Sequence, residues 1–123
     1  MCHPAVRFSV WLLAFAGAFV LTHTPPSDVP SRLWWLNDKI LHTIGYAILG
    51  FLTAWMIGQA GVGDRWRASA LSLAGLFVYA AFDEMTQPLV GRSCEFSDWL
   101  ADAAGAAIGT LAGVRWQLRR KTE

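Results

Sequence analysis

Four apolar segments fill most of this chain, and each is long enough to need either a large protein core or a lipid bilayer to cover it. A chain of 123 residues cannot supply the first. With 54% hydrophobic and only 15% charged residues, the composition points the same way. The hydrocarbon core of a bilayer, about 30 Å thick, is spanned by a helix of roughly 20 residues. Backbone inside lipid must also satisfy its own hydrogen bonds, which leaves helices as the simplest solution. The expected fold is therefore all-α: an integral membrane four-helix bundle formed as one domain over residues 1–123. Short connections between consecutive segments make its topology up-down-up-down.

The first segment, residues 5–21, is apolar apart from Arg7 and Ser9. A secretory leader is the competing reading, but no small-x-small cleavage site immediately precedes Thr22–Pro26, so a retained helix is expected. The stretch from Thr24-Pro25-Pro26 to Pro30-Ser31 has no helical period and reads as a connector. Trp34 and Trp35 suit the membrane interface, and Asn37 suits a helix N-cap. The second segment, 38–59, ends at Gly61 and Gly63. After the polar turn of Asp64, Arg65 and Arg67, the third runs over 68–87 and is stopped by Pro88. The fourth occupies 98–114, followed by Arg115, Arg119, Arg120 and Lys121.

Basic residues give an orientation. Arg7, Arg65, Arg67, Arg115, Arg119, Arg120 and Lys121 fall on one side of the bundle; Arg32, Lys39 and Arg92 fall on the other. The richer side is expected to be cytoplasmic, and with it both termini. Cys2 and Cys94 then face opposite compartments and cannot form a disulfide framework. The net charge of +1 gives no reason to expect nucleic-acid binding.

The same topology brings the carboxylates together on the outer side. Asp38, His42 and Tyr46 share a face of the second segment, together with Gly45; Asp83 and Gln87 share one on the third, with Glu84 beside them. On the fourth, Asp98, Asp102, Gly105 and Gly109 fall within roughly 60° of one another. Below the acids, Gly105, Gly109 and Gly113 form two overlapping G-x-x-x-G spacings, the pattern that lets two membrane helices approach closely. Asp38, Asp83, Glu84, Glu95, Asp98 and Asp102 outnumber the local cations Lys39 and Arg92. So many carboxylates at a low-dielectric mouth must pair with those cations or His42, take up protons, or hold a cation. Each residue also has a plainer reading. Asp38 and Asp98 are favoured by the positive end of a helix whatever their function. His42 fits a neutral, hydrogen-bonded role, Tyr46 an interfacial aromatic, and Arg92 and Glu95 solvated loop charges. The spacing matches no named metal motif, and no phosphate loop, nucleophile elbow or H-E-x-x-H is present. No metal and no cofactor is assigned from the sequence.

The order Asp38-Lys39-x-x-His42-x-x-x-Tyr46, then Asp83-Glu84-x-x-Gln87, Arg92 and Asp98 followed by Gly105-x-x-x-Gly109, resembles the VanZ-like membrane proteins. The resemblance covers about residues 38–109. It implies a small, multi-pass protein of the bacterial cytoplasmic (inner) membrane, whose founding member is linked to resistance to the lipid-tailed glycopeptide antibiotic teicoplanin. It also implies functional roles for Asp38, Lys39, His42, Tyr46, Glu84, Gln87, Arg92 and Asp98. The chain departs from the pattern at Ala101-Asp102, where an Ala-Asn pair is expected.

These readings lead to two expected functions. In one, the outward cluster recognises the head group of an amphiphile: a membrane lipid, a lipid-linked precursor or a lipoglycopeptide. In the other, the cluster performs acid–base chemistry on a lipid-linked or cell-wall precursor, with His42, Asp83, Glu84 and Asp98 as candidate groups. A purely structural hydrogen-bond network is the third possibility.

Overall fold

A computed structural model of the chain describes residues 3–28, 38–57 and 65–119. The expected features at Cys2, Arg32, Trp34, Trp35, Asn37, Gly61, Gly63, Asp64, Arg120 and Lys121 lie outside the described residues. Four long helices account for the fold: α1 (Pro4–Thr22), α2 (Asp38–Ile57), α3 (Arg65–Thr86) and α4 (Phe96–Arg119), with no strand among the described residues. Short 3-10 turns at Pro26–Asp28 and Gln87–Val90 follow α1 and α3.

Local chemistry explains the helix ends. The His3 side chain accepts the Ala5 amide and Pro4 opens α1, where its missing N–H costs nothing. Pro88 falls within the 3-10 turn and not in α3, which ends at Thr86. Gly91 then takes a left-handed φ of 77°, a conformation that most side chains resist, and turns the chain so that Arg92 heads back toward α2. The last helix runs past the expected end at residue 114 to Arg119. Its extra turn is held by Gln117, whose amide donates to the Ala54 carbonyl, and by Trp116 against Phe51 at 5.9 Å between ring centres.

Contacts between helix ends establish the expected up-down-up-down arrangement. The start of α1 meets the end of α2, through Arg7 donating to the Trp55 carbonyl and Trp11 to Thr53. The end of α1 meets the end of α3, where Thr22 donates to Asp83. The start of α2 meets the start of α4, where His42 touches Asp102. Thus α1 and α3 run one way, α2 and α4 the other.

The closest packing is between α2 and α4. A Cβ added at Gly105 would strike the Thr43 backbone, one at Gly109 the Ala47 backbone, and one at Gly113 would come within 2.8 Å of the Ala54 Cβ. Gly50 is the reciprocal contact from α2: a Cβ there would lie 2.5 Å from the Ala106 carbonyl oxygen. Gly45, expected on the same face as His42, meets nothing within 4 Å. The small core beside this seam is Tyr46, Leu49, Leu76, Ala80 and Ala106, with Ala14, Phe15 and Ala18 of α1 laid against it.

The exterior is the inverse of a soluble protein's. Large apolar side chains such as Leu13, Leu21, Val78 and Met85 are mostly exposed, whereas Asp83, Glu84, Gln87, Asp98 and Asp102 are buried. That distribution suits lipid outside and polar contacts inside. Helices α1, α2 and the 67–90 stretch are each long and apolar enough to cross a membrane. At 24 residues, α4 has the length, but its internal acids and terminal arginines dilute its apolar character.

Candidate functional site

All ten candidate residues of the acidic cluster lie at one end of the bundle, but they form three groups with different partners. The innermost is centred on His42, one turn into α2 and buried. Its Nδ1 lies 2.8 Å from Asp102 Oδ1 on α4 and 3.7 Å from Glu84 Oε1 on α3. Three helices therefore each contribute one side chain to a single buried point. Glu84 is held in place by two donors: the Gln87 amide at 3.1 Å and the Glu95 backbone N–H, also at 3.1 Å. Tyr46 lies one turn below His42, and its hydroxyl has no hydrogen-bond partner among the described residues. The same is true of one oxygen on each of Asp83 and Asp102.

Around this centre is a rim of ion pairs. Lys39 donates to Asp98 at 2.9 Å and reaches Glu95 at 3.5 Å. Arg92 meets Asp38 at 2.9 Å and also reaches the Thr24 carbonyl. The other oxygen of Asp38 lies 3.8 Å from His42 Nε2, which links rim to centre. Coulomb attraction at such distances is modest where water reaches it and far larger where it does not. Asp38 and Lys39 are exposed, so the inner group carries the stronger electrostatic demand.

The third group belongs to α1. Asp83 does not join His42; it accepts the Thr22 hydroxyl at 2.8 Å and lies 3.6 Å from His23 Nδ1. His23 Nε2 in turn sits 2.8 Å from the Thr86 hydroxyl. Sequence reasoning missed Thr22 and His23 because they fall between the expected end of the first segment at residue 21 and the connector that begins at Thr24. The available signal was their position: a polar pair closing an apolar span on the acidic side.

A profile of the VanZ/LLP1 family matches residues 6–117, nearly the whole chain. The chain belongs to the VanZ/LLP1 family. No curated protein and no solved structure matches it. The family and the apolar helices together make this a membrane protein. In this VanZ-family bundle the motif residues are distributed by helix, so that their meeting depends on tertiary packing and not on a single local loop.

One further feature adjoins the cluster. An open, almost wholly apolar groove of about 320 Å³ runs along α3 and α4, walled by Ala81, Glu84, Met85, Cys94, Glu95, Phe96 and Trp99. Phe96 and Trp99 stack at 5.5 Å, and the Trp99 indole donates to the Phe77 carbonyl, which fixes this wall. Glu84 thus belongs to both the groove and the buried centre. Chemically, the arrangement offers a hydrogen-bonding and acid–base centre beside an apolar channel.

Proposed function

We propose that this VanZ-family protein resides in the bacterial cytoplasmic membrane and binds an amphiphile. The polar head would lie against the Glu84–His42–Asp102 end of the bundle and the apolar chain in the adjacent groove. The observation that carries this reading is the double membership of Glu84. Glu84 is one of the residues that wall the groove, while its buried carboxylate lies 3.7 Å from His42, directly behind that wall. A ligand with a charged or hydrogen-bonding head and an apolar tail matches that sequence of surfaces. The groove volume falls in the usual range of small-molecule sites, roughly 300–1,000 Å³. The site faces outward if both termini are cytoplasmic, as the distribution of basic residues supports. A membrane lipid, a lipid-linked precursor and a lipoglycopeptide such as teicoplanin all belong to this ligand class.

The test is native mass spectrometry of the full chain in detergent with three probes: phosphatidylethanolamine, phosphatidylglycerol and teicoplanin. At least one should remain bound to the wild type and be lost both in Met85→Trp, which fills the groove, and in Glu84→Gln. Equal retention by the wild type and both variants would refute the reading. The second reading, catalysis on the same amphiphile, is favoured by the His42–Asp102 contact at 2.8 Å, a distance suited to proton transfer. Turnover of a bound precursor by the wild type and not by His42→Ala would establish it over binding alone.

A further inference from the structure

We propose that His42, Glu84 and Asp102 form a buried site for one divalent first-row cation of the Zn²⁺ or Mn²⁺ class. The geometry comes first. One ligand atom from each residue lies within 4.8 Å of the others, and all three residues are buried. His42 Nδ1 is 2.8 Å from Asp102 Oδ1 and 3.7 Å from Glu84 Oε1. An ion about 2.1 Å from each ligand would see those two pairs at roughly 80° and 120°, ordinary angles between adjacent ligands.

A second observation points to a ligand. Asp102 is wholly buried, and its Oδ2 meets no hydrogen-bond donor among the described residues. A carboxylate oxygen is an acceptor, and leaving one buried without a donor costs about 1–3 kcal/mol or more. A cation that Asp102 chelates through both oxygens would satisfy Oδ2 together with Oδ1. Tyr46 Oη, one turn along α2 from His42, is likewise buried without a partner. Charge agrees, because a neutral imidazole and two carboxylates are balanced by one divalent ion.

The surroundings match what holds metal ligands in place. With Nδ1 turned to the carboxylates, Nε2 faces Asp38 at 3.8 Å, and Asp38 is clamped by Arg92. At that distance Asp38 acts on the imidazole through its charge and not through a direct hydrogen bond, favouring the proton on Nε2 and leaving Nδ1 to ligate. Glu84 is positioned by the Gln87 amide and the Glu95 N–H. A competing set, Asp38, His42 and Asp98, lies nearer the surface. Its carboxylates already have cations, Arg92 on Asp38 and Lys39 on Asp98, so the inner set has the greater need. The mixed nitrogen and oxygen donors favour Zn²⁺ or Mn²⁺ over Ca²⁺, which takes oxygen ligands.

This inference is independent of amphiphile binding, and its test contains only the metals. The full chain, purified in detergent and stripped with EDTA, is titrated with Zn²⁺ and with Mn²⁺; melting temperature and retained metal are measured. The wild type should keep about one ion per chain after desalting and melt higher with metal. His42→Ala and Glu84→Gln should lose both effects, Asp98→Asn should keep them, and Asp38→Asn should bind roughly 10–100-fold more weakly. Should a ligand variant fail to fold, wild-type protein loaded with Co²⁺ gives the answer without it. A visible absorption band displaced by Zn²⁺ supports a bound imidazole–carboxylate site, and its absence counts against one. Absence of retained metal and of any melting shift in the wild type overturns the proposal. Loss of binding in Asp98→Asn with retention in Glu84→Gln also overturns it, by moving the ion to the rim.

Discussion

Replacing Gly109 by alanine tests the packing on which the cluster depends, because one methyl group has nowhere to go. The new Cβ would overlap the Ala47 carbonyl and lie 2.6 and 2.8 Å from the Ala47 carbonyl carbon and Cα. These are backbone atoms in the middle of α2, so no side-chain rotation relieves the clash. Ordinary carbon contacts lie at about 3.5–4.0 Å, and the helices must separate by roughly 1 Å. A gap of that size forfeits a quarter to a half of each dispersion contact across the seam, each worth about 0.1–0.2 kcal/mol. With roughly 40–60 such contacts, the number a buried leucine makes, the loss centres on about 2–4 kcal/mol, near the upper end of typical overpacking penalties. Gly45→Ala is the control. Nothing lies within 4 Å of its added Cβ, so it should be neutral or gain up to about 1 kcal/mol of helix propensity. The assay is thermal unfolding in detergent, where Gly109→Ala should melt of order 10 °C lower. Indistinguishable melting of wild type and both variants would refute close α2–α4 packing.

Two further outcomes follow from the ends of the bundle. If both termini are cytoplasmic, a membrane-impermeant thiol reagent added to intact cells should label Cys94, which is exposed, and spare Cys2; the opposite pattern would invert the orientation. At the far end from the acidic cluster, Arg7 lies 4.6 Å above the Trp55 ring and donates to its carbonyl. Arg7→Ala should therefore lower stability by roughly 1–2 kcal/mol while leaving metal and amphiphile binding intact, and unchanged melting would show that the contact contributes nothing.

The helices and the polar end of this bundle were legible because lipid imposes long apolar runs, and runs are visible without a structure. The pairing within the cluster was not. Asp83 and Glu84 are neighbours in sequence, yet a helix turns by about 100° per residue, so one faces α1 and the other faces α2 and α4. Only the rotation of α3 in the bundle decides which. The G-x-x-x-G spacing exposed Gly105, Gly109 and Gly113, whereas Gly50, an isolated glycine in a mixed apolar run, carried no pattern. The last turn of α4 has the look of a basic tail in the sequence because its arginines are obvious. The contacts that extend it, from Trp116 and Gln117, lie on its other side.

The glycine seam and the cluster are parts of one device. Gly105 lies three residues after Asp102 on α4 and contacts the Thr43 backbone, immediately next to His42. Close approach at that level is what brings an α4 aspartate within 2.8 Å of an α2 histidine. A larger residue at position 105 would hold the two helices apart at the height of the site, and the His42–Asp102 contact would lengthen before the fold was lost. Placing the clustered side chains on three packed helices instead of loops fixes their separation in advance, which is what hydrogen-bonding, metal-binding and acid–base sites all require. On this argument the small residues of α4 serve the cluster as much as the stability: they set the distance at which His42 and Asp102 meet.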